Sequence, residues 1–194
     1  MAAASALGVA GLVACEDVGP PGDTTVPTSD LVVLPLAASA PAPFPITFYA
    51  FNGKPTVQTI RHPDAFNTVY LEVRFPPGCL SSLNGTPLTV TDSLLVTVQP
   101  RADGYGFTLS PSGLVFTLGG TPSVTFSFAR YADPSVADTI PSFADRQAYL
   151  AALDVWQEAT VGRWRIARGS SQSGVDEIAA AIEAPGEFVL AAAR

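Results

Sequence analysis

The sequence predicts an all-β protein: an antiparallel β-sandwich, immunoglobulin-like in build, with one short helix, behind a disordered leader and linker. Three observations predict it. Apolar and polar residues alternate over short runs after Pro45, the signature of strands with one buried face. Pro-Ser-Gly, Gly-Gly and Thr-Pro punctuate those runs at close spacing. The chain of 194 residues is 47% hydrophobic and 14% charged, enough apolar surface for one sizeable core.

The first element is a leader over residues 1–14, uncharged and almost all Ala, Leu, Val and Gly. It is shorter than the roughly twenty apolar residues that span a bilayer. Its length suits the apolar region of a secretory signal peptide. Leu12-Val13-Ala14-Cys15 resembles the bacterial lipobox. That resemblance implies cleavage before Cys15, acylation of its thiol and new amino group, and a membrane contact through the lipid. No Lys or Arg precedes Cys15, unlike the usual signal. Either the start lies upstream of Met1, or the segment is an Ala-rich N-terminus.

Residues 15–45 follow as a tether, acidic at Glu16 and Asp17 and interrupted by prolines. Proline excludes a regular helix and disfavours an inner strand. "APAPFP" should run extended as a semi-rigid spacer. "LVVLPLA", residues 31–37, is apolar enough for a short edge strand docked on the domain, interrupted by Pro35.

The sandwich is expected over residues 46–194. In "TVYLEVRF", Val69, Leu71, Val73 and Phe75 share one face, with Tyr70, Glu72 and Arg74 on the other. Leu94, Val96 and Val98 line the next strand. Phe107/Leu109, Leu114/Phe116/Leu118 and Val124/Phe126/Phe128 mark three more. A helix is expected near residues 143–151, with Ser142 and Asp145 in a capping-box-like start. A hairpin around "ATVG" should then pair "ALDVWQE" with "GRWRIAR", where Trp164 and Ile166 alternate with the solvated Arg163 and Arg165. "EIAAAIEA" reads equally as helix or strand, and a last strand follows Pro185-Gly186 over residues 187–191.

Chemistry-bearing motifs are scarce. A net charge of −7 argues against nucleic acid, whose binders carry basic patches. His62, the single histidine, precedes Pro63 and reads as a surface or turn residue. With one histidine and two cysteines there is no zinc spacing. "GSSQSG", residues 169–174, lacks the spacing of a nucleophile elbow and reads as a Ser/Gly hairpin loop. "RADGYG" reads as a turn, and neither a calcium loop nor a phosphate loop is found. Cofactors, metal ligands and catalytic residues are therefore expected to be none. Cys79 after Pro77-Gly78 reads as a small, partly buried hydrophobe.

"YLEVRFPPGCL", "LTVTDSLLVTVQP", "FTLSPSGLVFTL" and "SVTFSFARY", taken in order with "VW…RWRI" and "I…PGEFVLAA", resemble the ZU-five domain. This β-sandwich module belongs to zona-occludens proteins, ankyrins and netrin receptors. The resemblance covers residues 46–194 and implies an interaction or scaffold module. Some members cleave themselves at a His-Phe-Ser motif in the last hairpin. "EAPGEFVL", residues 183–190, has neither His nor Ser, so self-cleavage does not carry over.

The expected function is a lipid-anchored, non-catalytic interaction module of the bacterial cell envelope, at the periplasmic face or cell surface. Its partner would be an envelope protein or a glycan. Among Phe48, Tyr49 and Phe51, Phe48 is the core residue and its neighbours are candidates for partner contact. One alternative is a glycan- or small-molecule-binding sandwich, with exposed Trp156 or Trp164 stacking on the ligand. Another is an enzyme with a scattered carboxylate site.

Overall fold

The computed structural model describes residues 24–117 and 120–194; the leader, Cys15 and Leu118 lie outside the described residues. In chain order the first strands are β1 (Val26–Pro27), β2 (Leu31–Val33), β3 (Ile46–Phe51), β4 (Thr56–Arg61) and β5 (Val69–Phe75). Then come β6 (Leu80–Leu83), β7 (Thr86–Pro87), β8 (Ser93–Pro100), β9 (Gly106–Ser110), β10 (Leu114–Phe116) and β11 (Ser123–Ser127). Helix α1 (Arg146–Ala151) precedes β12 (Asp154–Thr160), β13 (Arg163–Ile166), β14 (Ser171–Gly174), β15 (Glu177–Ala181) and β16 (Gly186–Ala193).

The strands form an antiparallel sandwich. The larger sheet runs β1-β13-β12-β16-β9-β8-β3, with β2 added beside β16. The facing sheet runs β14-β15-β11-β5-β4, and a small sheet β10-β6-β7 completes the fold. Period-two alternation explains the packing. Val155, Phe188 and Leu190 point inward from the larger sheet toward Leu71, Val73, Val124 and Phe126, all in one buried cluster. Phe107 stacks on Phe188 at 4.9 Å between ring centroids and meets Phe126 of the facing sheet at 5.8 Å. Each such side chain contributes about 1.5–3 kcal/mol of burial free energy.

Two ambiguities are resolved. "EIAAAIEA" contributes the strand β15, because β11 and β14 pair with it on both sides and tertiary pairing outweighs alanine's helix propensity. The helix is Arg146–Ala151, and its N-cap is Asp145, which accepts from the Ala148 amide at 2.7 Å. Ser142 is not the cap.

Four other expectations are corrected. The tether is shorter than residues 15–45, since Leu31, Val32 and Leu34 are buried. Pro35 ends strand β2's course without stopping Leu34 from reaching the core. Tyr70 is fully buried although its neighbours Glu72 and Arg74 face outward; a register shift between Ile60 and Arg61 breaks the alternation there. Ser171–Gly174 is an edge strand on β15, not a hairpin loop. His62 is buried rather than exposed.

Candidate functional site

Trp156 and Trp164 were the sequence's candidates for ligand contact, and the structure places both out of reach. They are 5% and 4% exposed. Trp156, Val189 and Ala191 have opposite parity to the core residues Val155 and Leu190, so they lie on the outer face of the larger sheet. The segment from β1 to β2 crosses that face and covers them, forming a second apolar cluster with Leu31, Val26 and Val33. Trp156 Nε1 donates to Ala191 O and Trp164 Nε1 to Thr28 Oγ1, each at 3.0 Å. The ligand-contact expectation failed because the covering segment had been assigned to the tether.

The exposed aromatic surface lies elsewhere. β3 ends the larger sheet and pairs only with β8 among the described residues. Phe48 turns inward, edge-on to Phe75 at 5.9 Å. Its neighbours Tyr49 and Phe51 turn outward, and Tyr49, 57% exposed, lies directly opposite Leu95, 51% exposed. Lys54 Nζ sits 4.1 Å above the Phe51 ring, a cation on an aromatic face. Beyond Leu95 the same face carries Thr47 and Thr97, whose hydroxyls meet at 2.9 Å. The patch is a mixed apolar and hydroxyl surface on a free strand.

A third group centres on His62 at the β4–β5 corner. His62 Nδ1 donates to Pro41 O at 2.7 Å, since a carbonyl only accepts. Nε2 is buried without a partner among the described residues. The His62 ring lies 4.6 Å from Tyr131 and edge-on to Tyr70 at 5.4 Å. Tyr131 donates to Asp64 Oδ2 at 2.9 Å. Asp64 also accepts from the Thr68 hydroxyl at 2.5 Å and from the amides of Thr68 and Phe66. The Thr68 hydroxyl above all, with those amides and Tyr131, holds the Asp64 carboxyl well below the usual range against the opposing effect of burial. Arg130 lies 4.0 Å from the exposed Phe66 ring and 3.9 Å from Asp64 Oδ2. The group ties three segments together around a carboxylate. Sequence reasoning read His62 before Pro63 as a surface or turn residue but did not bring in Tyr131 or Arg130, which arrive from a distant loop.

A groove of about 830 Å³ is lined within residues 137–147. Its carboxylates are engaged: Asp138 pairs with Arg146 and Asp145 caps α1. The Arg146 hydrogen bond lowers the Asp138 pKa. Cys79 is fully buried and free, and burial pushes its thiol up to about 11. Among the described residues no three His, Cys, Asp or Glu side chains gather as a metal site.

These features define a class, an antiparallel β-sandwich with a strapped outer face and an aromatic free edge. No protein-family model matches the chain, nor does any curated protein or solved structure.

Proposed function

We propose that the protein is a non-catalytic interaction module displayed at a bacterial cell envelope by a lipid on Cys15. The observation that carries the interaction part is the outward pair Tyr49 and Leu95 on the free strand β3, flanked by Phe51. Exposed aromatic and aliphatic side chains on an unpaired strand suit a protein partner, because a joining strand satisfies the backbone while its side chains cover the patch. The anchor part rests on Leu12-Val13-Ala14-Cys15 and the acidic, proline-rich segment after it. Acyl chains contribute about 0.8 kcal/mol per buried methylene, so several hold a protein stably at a bilayer. The order of strand motifs that resembles a ZU-five domain supports the same scaffold role.

Two measurements test the two parts separately. Mass spectrometry of envelope-extracted protein should find a chain beginning at an acylated Cys15, and Cys15→Ser should release the protein from membranes. A photo-crosslinking residue at Thr47 should capture a discrete envelope partner, and the product should disappear with Tyr49→Asp or Leu95→Asp. Crosslinks unchanged by both substitutions would remove β3 from the reading.

A further inference from the structure

Residues 24–30 form a strap across the outer face of the larger sheet, and the way it is held is uneven. Past residue 30 the chain is fixed, with Val32 and Leu34 in the main core and Leu34 N–H bonded to Leu190 O at 2.9 Å. Before that point the ties are few. β1 pairs through only Val26↔Trp164 and Pro27↔Arg163. Thr28 N–H donates to Gly162 O at 3.1 Å, and Arg163 donates to Thr25 O at 3.0 Å. A segment with so few backbone bonds and a small apolar contact opens at low free energy, independently of the core.

The strand beneath is longer than the strap's pairing. Gly162 O accepts from Thr28, and Ala167 N–H bonds inward to Val155 O at 2.8 Å. Alternation therefore aims the N–H and C=O of Trp164 and Ile166 toward the strap's side. Among the described residues pairing stops at Val26, so Ile166 has no partner there, and its side chain is exposed. A strand paired along β13 as far as Ile166 would form more backbone bonds than the strap's described residues do.

We propose that the strap occupies a strand-docking slot along β13, and that an extended segment of a partner protein replaces it there. The slot's own contacts define that segment. It carries an apolar side chain at the place of Val26, over Trp164. It carries a hydroxyl two residues on, to accept from Trp164 Nε1 as Thr28 does. It carries no basic residue beside Arg163, whose guanidinium meets the strap at the Thr25 carbonyl and hydroxyl. This slot is at the opposite edge of the sheet from β3, so it stands or falls independently of the β3 surface.

The chain has only two tryptophans, and both lie under the strap, so fluorescence reports on this site alone. The probe is a fluorescein-labelled peptide of residues 24–31, titrated into the full chain. Val26→Asp should lift the strap: acrylamide quenching should rise at least twofold, and peptide binding should tighten at least tenfold over the wild type. Thr28→Ala, a milder change for the case that Val26→Asp disturbs folding, should move both readings in the same direction about threefold. A peptide with Arg at the Val26 place should not bind. Unchanged quenching, quenching that rises without peptide uptake, or dimerisation of the variants without peptide uptake would each overturn the proposal.

Discussion

The phenol oxygen of Tyr70 lies 2.8 Å from the amide nitrogen of Gly106 and 2.7 Å from its carbonyl oxygen, joining the two facing sheets through one side chain. Tyr70 stands on β5 and Gly106 on β9, and nothing at this contact reaches solvent. Tyr70→Phe keeps the ring and removes the oxygen, leaving the Gly106 amide without that acceptor. An unsatisfied buried amide costs about 1–3 kcal/mol. Urea unfolding should show a lower midpoint with an unchanged slope.

The position of Leu34 sets the domain boundary. Starting the chain at residue 46 would remove β1, β2 and Leu34, opening both apolar clusters. The chain from residue 24 should show strand-dominated far-ultraviolet circular dichroism and a cooperative transition; the chain from residue 46 should lose the transition. Leu34→Ala in the full chain should cost about 2–5 kcal/mol, the range for a large-to-small core change.

Acid stability should depend on Asp64. Its folded pKa is depressed, chiefly by the Thr68 hydroxyl, so its ionised form contributes stability at pH values above the ordinary carboxylate range. That contribution declines as pH falls through the ordinary range and is gone only below the depressed folded value. Asp154 acts in the opposite sense, because burial raises its pKa and acid relieves the cost of its charge. Asp64→Asn should therefore flatten the loss of stability between about pH 5 and pH 2. Unfolding midpoints measured across that window check it.

Cys79 should be inert while the protein is folded. With its thiol pushed up to about 11 and no exposed surface, it should not react with a disulfide reagent at pH 8, then react fully in denaturant. Rapid labelling of Cys79 in the native protein would mean that the small sheet opens.

The strands that were legible in the sequence are those with one wet face. Val96 and Val98 alternate with the polar Thr97 and Gln99, and β8 follows from that pattern. Where alternation was broken or reused, local reading failed. Tyr70 sits beyond a register shift that only the partner strand reveals. "LVVLPLA" was read as a patch on a tether because of Pro35, yet its buried residues all precede that proline. The same oversight left Trp156 and Trp164 exposed on paper: nothing local to β12 or β13 indicates that residues 24–30 cross over them. Likewise His62 looked like a turn residue since Pro41 and Tyr131 come to it from distant segments.

Strand β16 lies in the middle of the larger sheet, between β12 and β9, and also holds β2, yet it follows all three in the chain. A nascent chain that ends before Gly186 therefore holds two separate half-sheets with nothing to join them. Assembly of the larger sheet must wait until residue 193 has left the ribosome. Every pairing that β16 makes with β2 and β9 closes a long loop, which is slow for a chain of this topology. The order of its strands thus keeps the larger sheet in two halves until β16 has been made, while the facing sheet has all its strands beforehand.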